Sequence, residues 1–316
     1  MARRGGFPVL AAGLVGLLLT GCEAVMAPPS TPAPPPDAPP QRPETPALSP
    51  ESEALRTHYQ RVQNDLLVQG LLRTDGGGPD AQFTDTMLAR NFVRIALFSE
   101  YVDTGRELRA RENPSRLRRW DDPVRMEVEF GDTIPPAQRR EDRAAIRDYV
   151  ARLSRVTGLD MSLTTANPNF HVLVLNEDDR AGYEPRLRQL LPGISDSALR
   201  AVMDLPRDTF CLVLANSAPG RPSYGRAVAL IRGEHPDLMR MACIHEEIAQ
   251  GLGLANDSPQ ARPSIFNDDE EFGLLTYHDE LLLKILYDDR LETGMTAAEA
   301  APIARQIARE LMGGPA

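Results

Sequence analysis

Cys243-Ile-His-Glu-Glu-Ile-Ala-Gln-Gly-Leu-Gly-Leu-Ala-Asn-Asp257 is the stretch whose reading decides the fold. It predicts a short amphipathic helix over 244–250 that ends in a glycine-rich exit. Glu246, Glu247 and Gln250 crowd three polar groups onto it. Residues three and four apart share a helix face, so Gln250 lies one turn from both glutamates. Gly251 and Gly253 stop the helix, because glycine tolerates a left-handed exit. Asn256 follows six residues after Gln250.

This spacing resembles the zinc motif of the metzincin metallopeptidases, and of their matrixin branch most closely, H-E-x-x-H-x-x-G-x-x-H. Laid on this chain, the motif falls on Glu246, Glu247, Gln250, Gly253 and Asn256. The resemblance implies that Glu247 keeps the general-base position and Gly253 the helix-ending glycine. The three zinc-ligand positions carry Glu246, Gln250 and Asn256 instead of histidine. Sliding the motif to use His245 places Ala249 at the second ligand. The implied scaffold is therefore zincin-like and the zinc chemistry is missing. Oxygen donors of this kind suit Mg²⁺ or Ca²⁺ better than zinc, but they are thin in charge for a dedicated site. No cofactor is expected.

Two later stretches extend the resemblance, which spans about 120–290. Pro263-Ser-Ile-Phe-Asn-Asp268 stands where metzincins carry a Met-turn, with Phe266 in place of the Met. Leu275-Thr-Tyr-His-Asp279, running on to Tyr287, is similar to the matrixin C-terminal helix, and Thr276 with Asp279 makes a capping pair. The C-x-x-E-E-x-x-Q-x-L-G-L-x-N-D, S-I-F-N-D and L-T-x-H-D stretches also resemble an uncharacterised family of bacterial envelope proteins, a domain of unknown function. That likeness implies that the exchanged ligands are a family trait, and it supplies no activity.

The N-terminus sets the expected compartment. Arg3 and Arg4 precede an apolar run from Phe7 to Leu19, too short to span a bilayer. Leu19-Thr-Gly-Cys22 looks like a bacterial lipobox, so residues 1–21 are read as a lipoprotein signal peptide and Cys22 as the lipidation site. Acyl chains contribute about 0.8 kcal/mol per buried methylene, a firm anchor when several are attached. Glu23 is not the Asp that signals inner-membrane retention, which favours a periplasmic protein on the outer membrane. Cys211 and Cys243 remain. In an oxidising compartment an even pair favours a disulfide over two separate buried thiols. A loop of that size contributes about 3–4 kcal/mol on the chain-entropy estimate.

The 316 residues carry a net charge of −10, which excludes nucleic acid as a partner class and gives no adhesion to anionic lipid heads. Residues 22–50 are a proline-rich tether, holding eleven of the 28 prolines. Residues 51–115 read as a helical subdomain. Apolar positions recur at helical spacing from Leu55 to Leu66, and a second helix opens at Thr84. Asp75–Pro79 is a loop.

Residues 116–292 then alternate strand and helix. Strands are expected at 124–130, 170–175, 210–215 and 226–231, with a long helix over 141–157 stopped by Gly158. A polar insertion follows Asp178 and holds one short helix near Asp196. Gly220–Gly225 is a near miss for G-x-S-x-G and reads as a hairpin turn. Residues 293–316 form a C-terminal helix that Pro302 starts or kinks. The expected fold class is α+β: a zincin-like mixed sheet with a long helix and a motif helix, preceded by a helical subdomain.

Three functional readings stay open. Glu246, Gln250, Asn256, Asn267 and Asp268 make a hydrogen-bonded polar core, or line a cleft for a peptide or envelope protein, or serve catalysis. The leading reading is non-catalytic binding or scaffolding. The alternative is a peptidase-like hydrolase with Glu247 as general base and, in one version, a metal held through His245 or His278. Adjacent residues on a helix point about 100° apart, so spacing alone does not make Glu246 and Glu247 an acid–base pair.

Overall fold

A computed structural model describes residues 45–103, 105, 107–217, 220–267 and 269–314. Residues 1–21, read from the sequence as a signal peptide, Cys22, most of the 22–50 segment read as a tether, and Asp268 lie outside the described residues. Helix α1 (Pro50–Val68) begins where the Ser49 hydroxyl accepts from the Ser52 amide. Helix α2 (Asp85–Ala96) is capped in the same way by Thr84. Both caps satisfy amides that a first helical turn leaves without partners.

The helical reading fails after Ala96. Strands β1 (Phe98–Asp103) and β2 (Leu108–Pro114) pair antiparallel. Gly105 between them has φ +77°, which no helix continues, and the Phe98–Val102 run is rich in strand formers.

Beyond the hairpin the expected alternation is present. Strand β3 (Val124–Phe130) leads into α3 (Pro136–Thr157), which starts earlier than Glu141 because a proline opens its first turn. Gly158 ends α3 in the left-handed conformation, φ +71°. Strands β4 (Met161–Leu163) and β5 (Phe170–Leu175) follow. The polar insertion holds α4 (Glu177–Arg180), α5 (Glu184–Leu190) and α6 (Asp196–Met203), two helices more than the sequence pattern suggests. Then come β6 (Cys211–Ser217) and β7 (Tyr224–Arg232), with residues 220–223 in the connection between them and Tyr224 and Gly225 already in β7. Helix α7 (Asp237–Gln250) begins at Asp237 rather than Ile244, directly after Pro236. Helices α8 (Tyr277–Leu286) and α9 (Ala297–Leu311) close the chain, and Pro302 sits inside α9 rather than at its start.

The five-stranded sheet runs β4-β3-β5-β7-β6. Its pairs are parallel except β6 on β7, which is antiparallel and puts β6 at an edge. The fold is a mixed α/β structure, as the sequence leads one to expect.

The sheet is covered on both faces. Val172 and Val174 of β5 join a core with α2, α3, α7, α8 and α9, while Leu173 and Leu175 join one with α5 and α6. A strand buried on both sides reads as an unbroken apolar run, and Phe-His-Val-Leu-Val-Leu does so. Helix α2 shares its core with α8 and α9. Among the described residues no helix is long and apolar enough to cross a membrane.

Candidate functional site: an acidic cavity at the end of α7

Helix α7 lies buried under the sheet with Ile244, Ile248 and Ala249 in the core. Three fastenings fix its orientation. Arg240 donates to Asp142 of α3 at 2.9 Å, with both side chains almost fully buried. Cys243 is disulfide-bonded to Cys211 on the edge strand β6. At the exit, Trp120 Nε1 donates to the Gly251 carbonyl at 2.8 Å, and the Tyr287 hydroxyl donates to the Leu252 carbonyl at 2.9 Å. These two bonds satisfy carbonyls that a helix end leaves open. Gly253 has φ +127°, and a Cβ there would run into the Arg118 carbonyl oxygen, so only glycine fits.

The polar face of α7 opens onto a cavity of about 580 Å³, a common size for ligand pockets. Its other walls are β6 from Cys211 to Ala215, the start of β1, and the loop that runs from Ala255 to Gly273. Glu246, Glu247 and Gln250 all face it. So do Glu100, Asp208, Asp257 and Glu270, with Arg118 as the cation among the described lining residues.

The sequence pattern marked Glu246, Glu247 and Gln250, and it missed the remaining acids. Asp257 was within sight as the last residue of the quoted stretch, one place past Asn256. Nothing in the sequence connects Glu100 or Glu270 to α7.

Asn256 does not join this group. Its amide donates to the carbonyls of Arg94 and Asp257, at 3.0 and 2.8 Å, and so braces the loop. Asp257 takes the place expected for Asn256, because the turn after Gly253 brings the next side chain round to the cavity. Gln250 Nε2 donates to Asp257 Oδ1 at 3.1 Å. Asn267 lines the cavity and donates to the Ala261 carbonyl.

Neither His245 nor His278 lines the cavity. The His245 ring stacks on Tyr149 at 3.9 Å, and its Nδ1 accepts from the Leu275 amide at 3.0 Å. Burial, with Arg152 nearby, pushes His245 down to about 3, so it stays neutral. His278 is fully buried beside Asn91 and Phe83.

The electrostatics are those of crowded acids. One carboxylate oxygen each from Glu246 and Glu247 and the Sγ of Cys211 lie within 4.8 Å of one another. Burial raises both glutamates well above the usual carboxylate range. The charges of Asp257 and Glu100 add to this in both cases, and Glu247 and Glu270 add to it at Glu246. Glu247 is only 4% exposed, and its Oε2 has no hydrogen-bond partner among the described residues. Tyr101 is raised too, by burial first and by the Glu100 carboxylate second.

This donor set does not fit zinc. The Cys211 sulfur is spent in a disulfide, and among the described residues no imidazole lines the cavity. In a second cluster, Glu127, Glu129 and His171, the Glu129 carboxylate already has its partners. Burial works against the Glu129 charge. Yet hydrogen bonds from His171, Arg186 and Tyr183 hold this carboxyl down at about 2.

A family model described as "Protein of unknown function (DUF2927)" matches residues 85–306. Neither the curated proteins nor the solved structures returned a match.

Proposed function

This chain belongs to that family of unknown function, and we propose that it is a non-catalytic binding protein whose acidic cavity holds a cationic side chain of an extended peptide or envelope partner. One observation carries the reading. Among the described residues Glu247 Oε2 is buried without a hydrogen-bond partner, at the wall of a cavity lined by six acidic residues. Such a group is costly unless something positive or proton-donating meets it. A lysine or arginine of a bound segment supplies both charge and N–H groups.

The edge strand supports the same reading. Among the described residues β6 pairs only with β7, and its free side runs along the cavity. An extended segment adding to such an edge gains main-chain hydrogen bonds, and pockets beneath it select side chains. The order of strand, long helix, further strands and motif helix is what the metzincin resemblance implies, so the domain is proposed as zincin-like with its zinc ligands exchanged. The lipobox at Cys22 supports a periplasmic protein tethered to the outer membrane.

The test is a calorimetric titration of the full chain with a lysine-bearing extended peptide and with its lysine-to-norleucine analogue. Saturable binding of the first alone, lost in Glu247→Gln, is expected. Equal binding of both peptides, or of neither, would end the proposal.

A second reading has its own observation. The close approach of Glu246 and Glu247, both raised, is the arrangement in which one carboxyl keeps a proton as general acid while the other acts as base. It makes the protein a metal-independent hydrolase with Glu247 as base. Glu247→Gln and Glu246→Gln would then each abolish turnover of a peptide or glycan library in folded protein. Absence of any turnover in the native chain rejects it.

A further inference from the structure

A second cavity, of about 490 Å³, opens between α2 and α9. Its wall is apolar, formed by Ala89, Val93, Phe98 and Ala301. Its rim carries three arginines, Arg90 and Arg94 from α2 and Arg305 from α9. Arg90 and Arg94 are four residues apart on one helix, a spacing at which like charges repel. Arg94 pairs with Glu112 and lies 5.5 Å over the Phe98 ring. Arg90 and Arg305 are exposed and have no acidic partner among the described residues. The rim thus carries two guanidiniums without an acidic partner among the described residues, in a chain whose net charge is −10.

A groove with apolar walls and a guanidinium rim is complementary to a molecule with one hydrocarbon chain and one anionic head. We propose that the α2–α9 groove binds a fatty-acid anion, with the chain along Ala89, Val93 and Ala301 and the carboxylate between Arg90 and Arg305. The small side chains Ala89 and Ala301 are what leave room for the chain. A bilayer surface is the poorer occupant. The groove is concave, and the overall negative charge opposes approach to anionic lipid. The proposal is independent of the acidic cavity, with which the groove shares no lining residue.

The experiment is a calorimetric titration of the full chain with oleate below its aggregation concentration, with oleyl alcohol as the uncharged control. A single saturable oleate site is expected, with oleyl alcohol at least tenfold weaker. The double reversal Arg90→Glu with Arg305→Glu should weaken oleate at least tenfold. Ala301→Leu, which fills the groove from a half-exposed position, should weaken it as well. Circular-dichroism melts confirm that both variants fold, and Glu247→Gln should leave oleate binding unchanged. No saturable binding overturns the proposal, as does equal affinity for the alcohol or for the charge-reversed chain. Loss of phosphatidylglycerol-vesicle binding on charge reversal, without a saturable oleate site, also overturns it and assigns the arginines to a membrane surface.

Discussion

Glu246 and Glu247, neighbours on one helix, bring a carboxylate oxygen each to within 4.8 Å of the other. Helical geometry sends adjacent Cα–Cβ bonds about 100° apart, so the meeting is made by the side chains beyond Cβ. Crowding with Asp257 and Glu100 follows, and it sets how the molecule should respond to pH.

Glu247→Gln is expected to stabilise the protein at neutral pH by about 1–3 kcal/mol, since it replaces a buried carboxyl, which must either hold its proton or carry an uncompensated charge, by a neutral group of the same shape. In the native chain the raised carboxyls keep protons in the folded state that the unfolded chain releases near its ordinary value of 4.5. Stability from this pair is therefore full below about pH 4.5 and falls as pH rises toward the folded value. Urea midpoints from pH 4 to 8 should show this decline in the native chain and a flatter profile in the variant.

Binding of a cationic segment should release protons. A positive charge beside Glu246 and Glu247 draws their raised values back down, so the ligand binds more tightly as pH rises. Binding enthalpies in buffers of different ionisation heat should differ in proportion to the protons set free. Identical enthalpies would mean that the occupant does not meet these carboxylates.

Arg240→Met should cost about 3–5 kcal/mol, because it leaves Asp142 buried without its charge partner. Asp142 has no other strong partner for its second oxygen, and burial already raises it against the pull of Arg240. Adding Asp142→Leu should recover much of the loss. Urea denaturation of the single and double variants measures the coupling.

Cys211→Ser with Cys243→Ser should lower stability by about 2–4 kcal/mol, the usual range for a link across a separation of 32 residues. The effect on the cavity should be separate from that on the fold. With β6 no longer fastened to α7, peptide affinity should fall by more than stability alone explains at temperatures where the variant is fully folded.

Much of the frame was legible because it rests on periodicity and punctuation. The apolar runs of β3, β5 and β7, the Gly158 stop and the Thr276–Asp279 cap are local patterns with local causes. Asp279 also accepts from Ser264 Oγ and from the Ile265 amide, so the cap clamps the loop beneath the site as well. The β1–β2 hairpin was missed because its strands are short and charged, and follow directly on a helix. At the site, the helix supplied Glu246, Glu247 and Gln250 by spacing. Glu100 and Glu270 are brought in by tertiary folding from about 150 residues upstream and from a loop, and no sequence period records that. Asn256 was misplaced because a motif spacing was read without the turn at Gly253.

The chain has a single tryptophan, and Trp120 is the residue that holds the end of α7 through the Gly251 carbonyl. Its ring stacks near Phe170 and lies beside Tyr224, itself a wall of the acidic cavity. The protein therefore carries a native optical probe at the hinge of its own site: emission excited at the red edge should follow any shift of the acid-bearing helix, with no label attached.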